Sequence, residues 1–246
     1  MIDWTQRSEQ VEIMDDFNGS ISELKIVLND ITRVNRILGG NKITVDAVFK
    51  LIGEVSKESY TILDMGCADG NMLRNLALEA RKRKVSLQLI GVDLSADALQ
   101  LARQASVDFP EITYQVKDIL TADFSDFECD IVVTTLTMHH FKNEGILQFL
   151  HQFERLSTIG IVINDLERSR IAYVLFKAFS LIFIRTRTAR IDGLISITKG
   201  FSRVELETLA ASLKNLSPQI SWKWACRYVW VMRKQRQYNR GIQHEW

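Results

Sequence analysis

Two acidic residues end two consecutive apolar runs, and a glycine-bounded loop lies between them. The first run reads Thr61-Ile62-Leu63-Asp64-Met65-Gly66-Cys67-Ala68-Asp69-Gly70, the second Gly91-Val92-Asp93-Leu94-Ser95. Strand, tight loop and helix in that order bring free backbone N–H groups to a nucleotide-like ligand. Gly66 and Gly70 are spaced G-x-x-x-G rather than G-x-G-x-x-G. Asp64 at the strand tip would repel a pyrophosphate, whereas ammonium or sulfonium charge would be drawn to it. Asp93 at the next tip can accept both hydroxyls of a ribose. In Lys117-Asp118-Ile119-Leu120, Asp118 can accept from an adenine amino group while Ile119 packs on the ring. Each feature alone is also an ordinary turn, since Asp and Ser are favoured at helix caps. Two acids flanking one glycine loop favour the nucleoside reading.

A second set of polar residues belongs to the other side of the same edge. Val133-Thr134-Thr135-Leu136-Thr137-Met138-His139-His140-Phe141 leaves a strand and carries two of the four histidines. Histidine takes up a proton near neutral pH, so His139 or His140 can serve as a general base; a packed or exposed loop residue is the plain alternative for each. Asn164-Asp165-Leu166-Glu167-Arg168 ends a further strand, where Asp165 and Arg168 could orient a substrate or simply make a turn. No third ligand stands at a spacing that suggests a metal site. Arg81-Lys82-Arg83-Lys84 reads as a complement to a helix C-terminus rather than as a nucleic-acid patch. An adenosyl ligand bearing ammonium and sulfonium charge is S-adenosylmethionine.

The elements that must hold these residues alternate. Apolar runs at 61–64, 87–93, 113–116, 130–135 and 160–164 are separated by helical patterns at 71–83, 96–106 and 143–156. Unbroken apolar strands alternating with helices indicate a parallel sheet covered on both faces, with every strand-end loop on one edge. Residues 8–60 read as helical, with breaks at Asn18-Gly19 and Gly39-Gly40, Ser20 as an N-cap with Glu23 three residues on, and Thr44 capping a third helix. Beyond Asp165, residues 170–184 form an apolar helix and a short basic segment follows at Arg185, Arg187 and Arg190. Ser202 caps a helix to residue 213 with Glu205 at its third position. Residues 220–233 alternate, placing Trp222, Trp224, Cys226, Tyr228 and Trp230 on one packed face of an antiparallel edge strand. The expected organisation is a helical cap over 1–57, a main domain over 58–235 with a helical insertion at about 166–200, and a frayed tail over 236–246.

Bulk properties set the outer bounds. Of 246 residues, 46% are hydrophobic and 25% charged, the balance of a globular chain. Thirty-one basic against 30 acidic residues leave a net charge of +1, so no global field recruits nucleic acid or anionic membrane. Cys67, Cys129 and Cys226 form no CxxC pair, which fits a reducing, cytoplasmic setting. The N-terminus lacks the basic and apolar regions of a signal peptide. The most apolar window, 171–184, is too short to cross a bilayer but leaves room for a helix lying in a membrane interface.

The loop segments quoted above, Leu63–Gly70, Gly91–Ser95, Lys117–Ile119 and His139–Phe141, resemble the motifs of class I S-adenosylmethionine-dependent methyltransferases. The resemblance covers roughly residues 58–235. It implies an α/β, Rossmann-like three-layer sandwich whose seven-stranded sheet is mostly parallel, the last strand antiparallel. It also implies a cofactor cradle of Asp64, Gly66, Cys67, Ala68, Gly70, Asp93, Leu94, Asp118, Ile119, Thr135 and Leu136. Ala68 stands where many members carry glycine, which is tolerable if its φ stays negative. Glu12–Asp16, Asn35–Gly40, Asn164–Arg168 and Arg190–Gly193 are similar to bacterial small-molecule methyltransferases found beside type III polyketide synthases. That likeness implies a hydrophobic phenolic or polyketide-like acceptor; the sequence leaves monomer or homodimer open. An RNA or protein methyltransferase, or a non-catalytic binding module, are the alternatives from other classes.

Overall fold

The computed structural model describes residues 2–124 and 127–235; the expected tail over 236–246 lies outside the described residues. The elements run α1 (Ile21–Ile37), α2 (Gly40–Ile52), β1 (Ser59–Met65), α3 (Asn71–Arg83), β2 (Ser86–Asp93), α4 (Ala96–Ala105), β3 (Ile112–Val116) and β4 (Cys129–Thr135). After a short 3₁₀ turn at Met138–His140 come α5 (Asn143–Leu156), β5 (Ser157–Leu166), α6 (Arg170–Phe183), α7 (Arg187–Lys199), α8 (Arg203–Ala210), β6 (Leu216–Lys223) and β7 (Arg227–Lys234).

One seven-stranded sheet orders them β3-β2-β1-β4-β5-β7-β6. The first five neighbours pair in parallel. β7 runs antiparallel to both β5 and β6. Alternation along each strand sends successive side chains to opposite faces, so Ile62 and Leu63, or Ile131 and Val132, feed two separate cores. One core gathers Leu63, Val132, Phe149, Phe153 and Trp230 beneath α5 and α8. The other gathers Ile62, Val48, Leu73, Leu76 and Ile131 beneath α2 and α3. The expected three-layer α/β sandwich is what forms.

The last strand departs from expectation. The alternating run is two strands, folded into a hairpin at Trp224–Cys226, where Cys226 has a φ of 54°. The antiparallel strand therefore lies inside the sheet, between β5 and β6, rather than at its edge. Trp222 and Trp224 are 47% and 64% exposed, so the five residues share no packed face; Tyr228 and Trp230 are buried. β6 forms the edge, where Pro218 costs no ladder bond that a central strand would need.

The N-terminal region also differs. Ser20 and Glu23 make the reciprocal capping box as expected. Residues 2–17 are an irregular strap, so the helix expected from residue 8 to the break at Asn18-Gly19 does not form. Gly40 begins α2 instead of ending α1, and Thr44 is a buried position inside that helix, not its cap. The basic segment at Arg187 and Arg190 is the first part of α7. Ser202 and Glu205 do form a capping box at α8. Two small apolar clusters tie α1 to α4 and, through Val27, Val34, Ile184 and Ala189, to the region of α6 and α7. The outer side of α6 leaves Ile171, Val174, Leu175, Leu181 and Ile182 exposed. No helix among the described residues is long and apolar enough to cross a membrane.

Candidate active site

The glycine loop leaves β1 at the strand-end edge. Gly66 holds a φ of 79°, and a Cβ there would meet Thr137 Cγ2 at 2.5 Å, so only glycine fits. The N–H groups of Gly66 and Cys67 both donate to Val92 O on β2. Ala68 has a φ of 45°, contrary to the expectation of a negative value. Its N–H donates to Asp93 Oδ2 at 2.8 Å, and the Ser95 N–H donates to Oδ1 at 2.9 Å. That hydrogen bond holds the loop in the strained conformation. Leu136, also at positive φ (56°), donates its N–H to Asn164 O and turns the chain off β4.

Asp64 is 2% exposed, and no hydrogen bond from the described residues reaches its carboxylate. Burial, seconded by the charge of Asp93, pushes its pKa up to about 8. An unpaired buried carboxylate costs several kcal/mol. The fully buried Ile62, Leu63 and Met65 around it contribute about 1.5–3 kcal/mol each, which is enough to hold the strand in place regardless.

A cavity of about 520 Å³ opens from this loop. Asp64, Gly66, Cys67, Ala68, Thr135 and Leu136 line it, as do His139 and His140. Apolar side chains also line it: Leu28 and Ile31 of α1, which cluster with Ala68; Phe176 and Phe179 of α6; Ile184 just after α6; and Ala189 of α7. Of the other expected cofactor residues, Asp93 binds the loop from beside the cavity, and Leu94 is exposed. Asp118 accepts from the Leu120 N–H and the Thr121 hydroxyl, an Asx turn. Ile119 packs into the core with Leu63 and Phe124.

The two histidines have different surroundings. His139 is 2% exposed; its Nδ1 lies 2.7 Å from Asp165 Oδ1, and its backbone N–H donates to Oδ2. Burial works against ionisation of Asp165, yet the adjacent His139 holds it below the usual carboxylate range. An ionised Asp165 can only accept, so Nδ1 carries a proton, and in the neutral ring the lone pair is on Nε2. Nε2 has no hydrogen-bond partner among the described residues. His140 instead bonds Asp15 Oδ1 at 2.8 Å through Nδ1. Burial opposes its charge, but the Asp15 bond and the charges of Glu12 and Asp15 raise its pKa. Asp15 is taken down to about 2, burial being outweighed by the His140 bond and charge.

The strap supplies residues that strand-tip reasoning missed. Glu12 Oε1 lies 3.6 Å from His139 Nε2, 3.8 Å from His140 Nδ1 and 3.2 Å from Lys199 Nζ. Glu12, His139 and His140 thus form the three-residue cluster that sequence spacing could not suggest, their ligand atoms within 4.8 Å of one another. The Lys199 ammonium already sits at the carboxylate, so the cluster is an ion-pair network as it stands. Arg7 anchors the strap on His139 O and Lys199 O, and Asp192 accepts from the Ile13 and Met14 N–H groups.

The fifth-strand residues separate. Asp165 is committed to His139 and so positions that ring rather than facing substrate. Arg168 does not reach the cavity: it pairs with both oxygens of Glu205 and donates to Gly200 O and Trp4 O.

Residues 62–160 match the family model described as a methyltransferase domain. The Bacillus subtilis (strain 168) protein YxjB, named for a 23S rRNA (guanine-N(1)-)-methyltransferase activity, is 31% identical over 111 residues, 42% of this chain and 38% of its own length. The carboxy-S-adenosyl-L-methionine synthase of Campylobacter hominis is 24% identical over 172 residues, 68% of this chain and 66% of its own length. The chain thus spans less than two thirds of either relative. Among solved structures, the plantazolicin methyltransferase BpumL, in complex with a monoazolic desmethylPZN analog and SAH, superimposes with a TM-score of 0.67 at 16% identity, covering 91% of this chain and 93% of that one. The magnesium protoporphyrin IX methyltransferase of Synechocystis PCC 6803, with bound SAH, gives 0.56 at 12% identity, covering 80% and 84%. The fold is the Rossmann-like one of these methyltransferases.

Proposed function

We propose that this protein transfers a methyl group from S-adenosylmethionine to a hydroxyl of a small, largely apolar acceptor, a phenolic or polyketide-like compound in the first instance. The observation that carries the reading is one largely apolar-lined cavity that brings together Asp64, a buried acid with a raised pKa, and His139, whose Nε2 has no hydrogen-bond partner among the described residues. S-adenosylmethionine, when bound, supplies an electrophilic methyl on a sulfonium. The residues present fit it: Asp64 is an acid that an ammonium can pair with, the Gly66–Gly70 loop has no side chain to obstruct approach at its bounds, and Asp93 holds that loop in shape through the Ala68 N–H.

His139 Nε2 accepts the proton of the acceptor hydroxyl, and Asp165 stabilises the imidazolium that results. The walls from α1, α6 and α7 exclude water and fix the acceptor in line, which is where most of the rate enhancement of a simple displacement arises. An apolar cavity under a strap accommodates a compact acceptor better than a polynucleotide, which favours this reading over RNA methylation.

Asp64 makes the cofactor half of the proposal testable. Its pKa near 8 in the folded state lies above the ordinary 3.8, so the ligand-free fold binds an extra proton between those values and loses stability as pH climbs through them. Pairing with an ammonium requires the carboxylate, so cofactor affinity, read by calorimetry, rises from about pH 6 to about 7.5. Asp64→Asn weakens binding at least about tenfold, flattens that dependence and raises the ligand-free melting temperature at pH 8. Unchanged affinity in Asp64→Asn would contradict the assignment.

A further inference from the structure

We infer that Arg227 anchors a negatively charged group on the acceptor, so that the substrate is an apolar molecule bearing a carboxylate rather than a neutral phenol. The inference rests on the methyl-transfer reading and narrows its substrate class. Arg227 opens β7 opposite Leu166 of β5 and lines the cavity. It is 2% exposed. One nitrogen, Nη2, donates to Asn35 Oδ1 at 2.7 Å. Nε and Nη1 meet no acceptor among the described residues. A buried guanidinium with two idle donors is destabilising unless something arrives to take them. Burial brings its pKa down to about 10, the charge of Asp165 acting in the other direction, and it stays cationic at neutral pH.

Its surroundings are shaped for an anion. Gly40 makes room, since a Cβ there would meet Nη1 at 2.9 Å. Gly40 is also the first residue of α2, whose N-terminus has no side-chain cap and no acid in its first turn. The positive end of that helix therefore adds to the Arg227 charge. Arg227 and the planar carboxylate fork match in geometry, two parallel N–H···O bonds replacing two empty ones.

Position decides between two sources of carboxylate, the acceptor and the cofactor's own amino-acid end. From β1, where Asp64 sits, the order β1-β4-β5-β7 puts Arg227 three strand spacings away, about 14 Å across the sheet. It lies on the far side of β4 and β5 from Asp93, and next to the strand end that carries Asp165 and its partner His139. An acceptor held at Arg227 can thus present a hydroxyl to His139 Nε2.

The test compares a 4-alkylsalicylate with its methyl ester as acceptors, in the wild type, Arg227→Met and Arg227→Lys. Two charge-assisted hydrogen bonds predict that the wild type prefers the acid by at least about tenfold in kcat/KM. The preference collapses toward unity in Arg227→Met and is only partly kept in Arg227→Lys, which lacks the fork. Asn35→Ala, which frees the guanidinium without removing it, also lowers the ratio and serves if Arg227→Met does not fold. Calorimetry with S-adenosylmethionine separates the sources. Unmoved cofactor affinity in Arg227→Met supports the proposal, and a large loss assigns the site to the cofactor's carboxylate and overturns it. Equal use of acid and ester by the wild type overturns it too. Should neither compound be methylated, the salicylate still raises the melting temperature of the wild type and not of Arg227→Met; no shift in the wild type refutes the anion site, whereas failure to bind S-adenosylmethionine refutes only the methyl-transfer reading.

Discussion

Two adjacent histidines, alike in sequence, are set to opposite tasks by their partners. His140 is paired to Asp15, a bond that favours its charged form against the effect of burial and occupies Nδ1, so it is the poorer base. His139, turned by Asp165 and left with an unbonded Nε2, is the group with a lone pair to offer. His139→Gln is therefore expected to lower kcat about 100-fold or more while the affinity for S-adenosylmethionine stays within about twofold. Asp165→Asn should follow it in the same direction. A His139→Gln enzyme retaining full kcat would remove it from the mechanism. The acids at strand tips were legible in the sequence because an acid that ends an apolar run is unfavourable there unless a ligand or a cap meets it. Arg227 was not, since in a single alternating strand it falls on the solvent face. Only the hairpin at Trp224–Cys226 and the sheet position of β7 turn it inward.

At the scale of elements, the strap over residues 2–17 completes the site. Its hydrophobic content is too slight for the helix expected there, and its backbone bonds go to neighbours instead: Ser8 N–H to Thr198 O, and Ile13 and Met14 N–H to Asp192. The His140–Asp15 pair makes this docking depend on pH. His140 has a raised pKa, so its contribution is complete below the ordinary value of 6.5 and is lost as pH rises through the raised one. Asp15, lowered to about 2, contributes above 3.8 and is lost only as pH falls toward 2. Glu12, Lys199 and Asp192 face the same pair but leave this sign unchanged. Amide exchange in residues 2–17 should therefore accelerate beyond the intrinsic rate as pH rises above about 6.5. In Asp15→Asn it should already be fast at pH 6. Protection that is flat with pH in the wild type would show that the pair does not hold the strap. The alternating strands and helices were readable from periodicity. The strap, the α7 segment and the final hairpin were not, because each is fixed by tertiary contacts rather than by its own pattern.

The whole molecule divides its work across the strand-end edge of one sheet. In the proposed reading, β1 and β2 carry the acids of the nucleoside half, the loop after β4 carries the base, β5 its partner, and β7 adds a cation beyond them. Helices α1, α6 and α7, with the strap, roof the space between into one cavity. The central claim is that this cavity moves a methyl group onto a bound small acceptor through His139. Its most direct measurement is the time course of label passing from methyl-labelled S-adenosylmethionine into an organic-extractable product, with alkylphenols and alkylsalicylates as acceptors and transfer RNA as a control. The account predicts saturable transfer to one of the small acceptors, none to the RNA, and a rate reduced about 100-fold or more in His139→Gln. Label appearing in the RNA, or transfer to the small acceptors undiminished in His139→Gln, would contradict it.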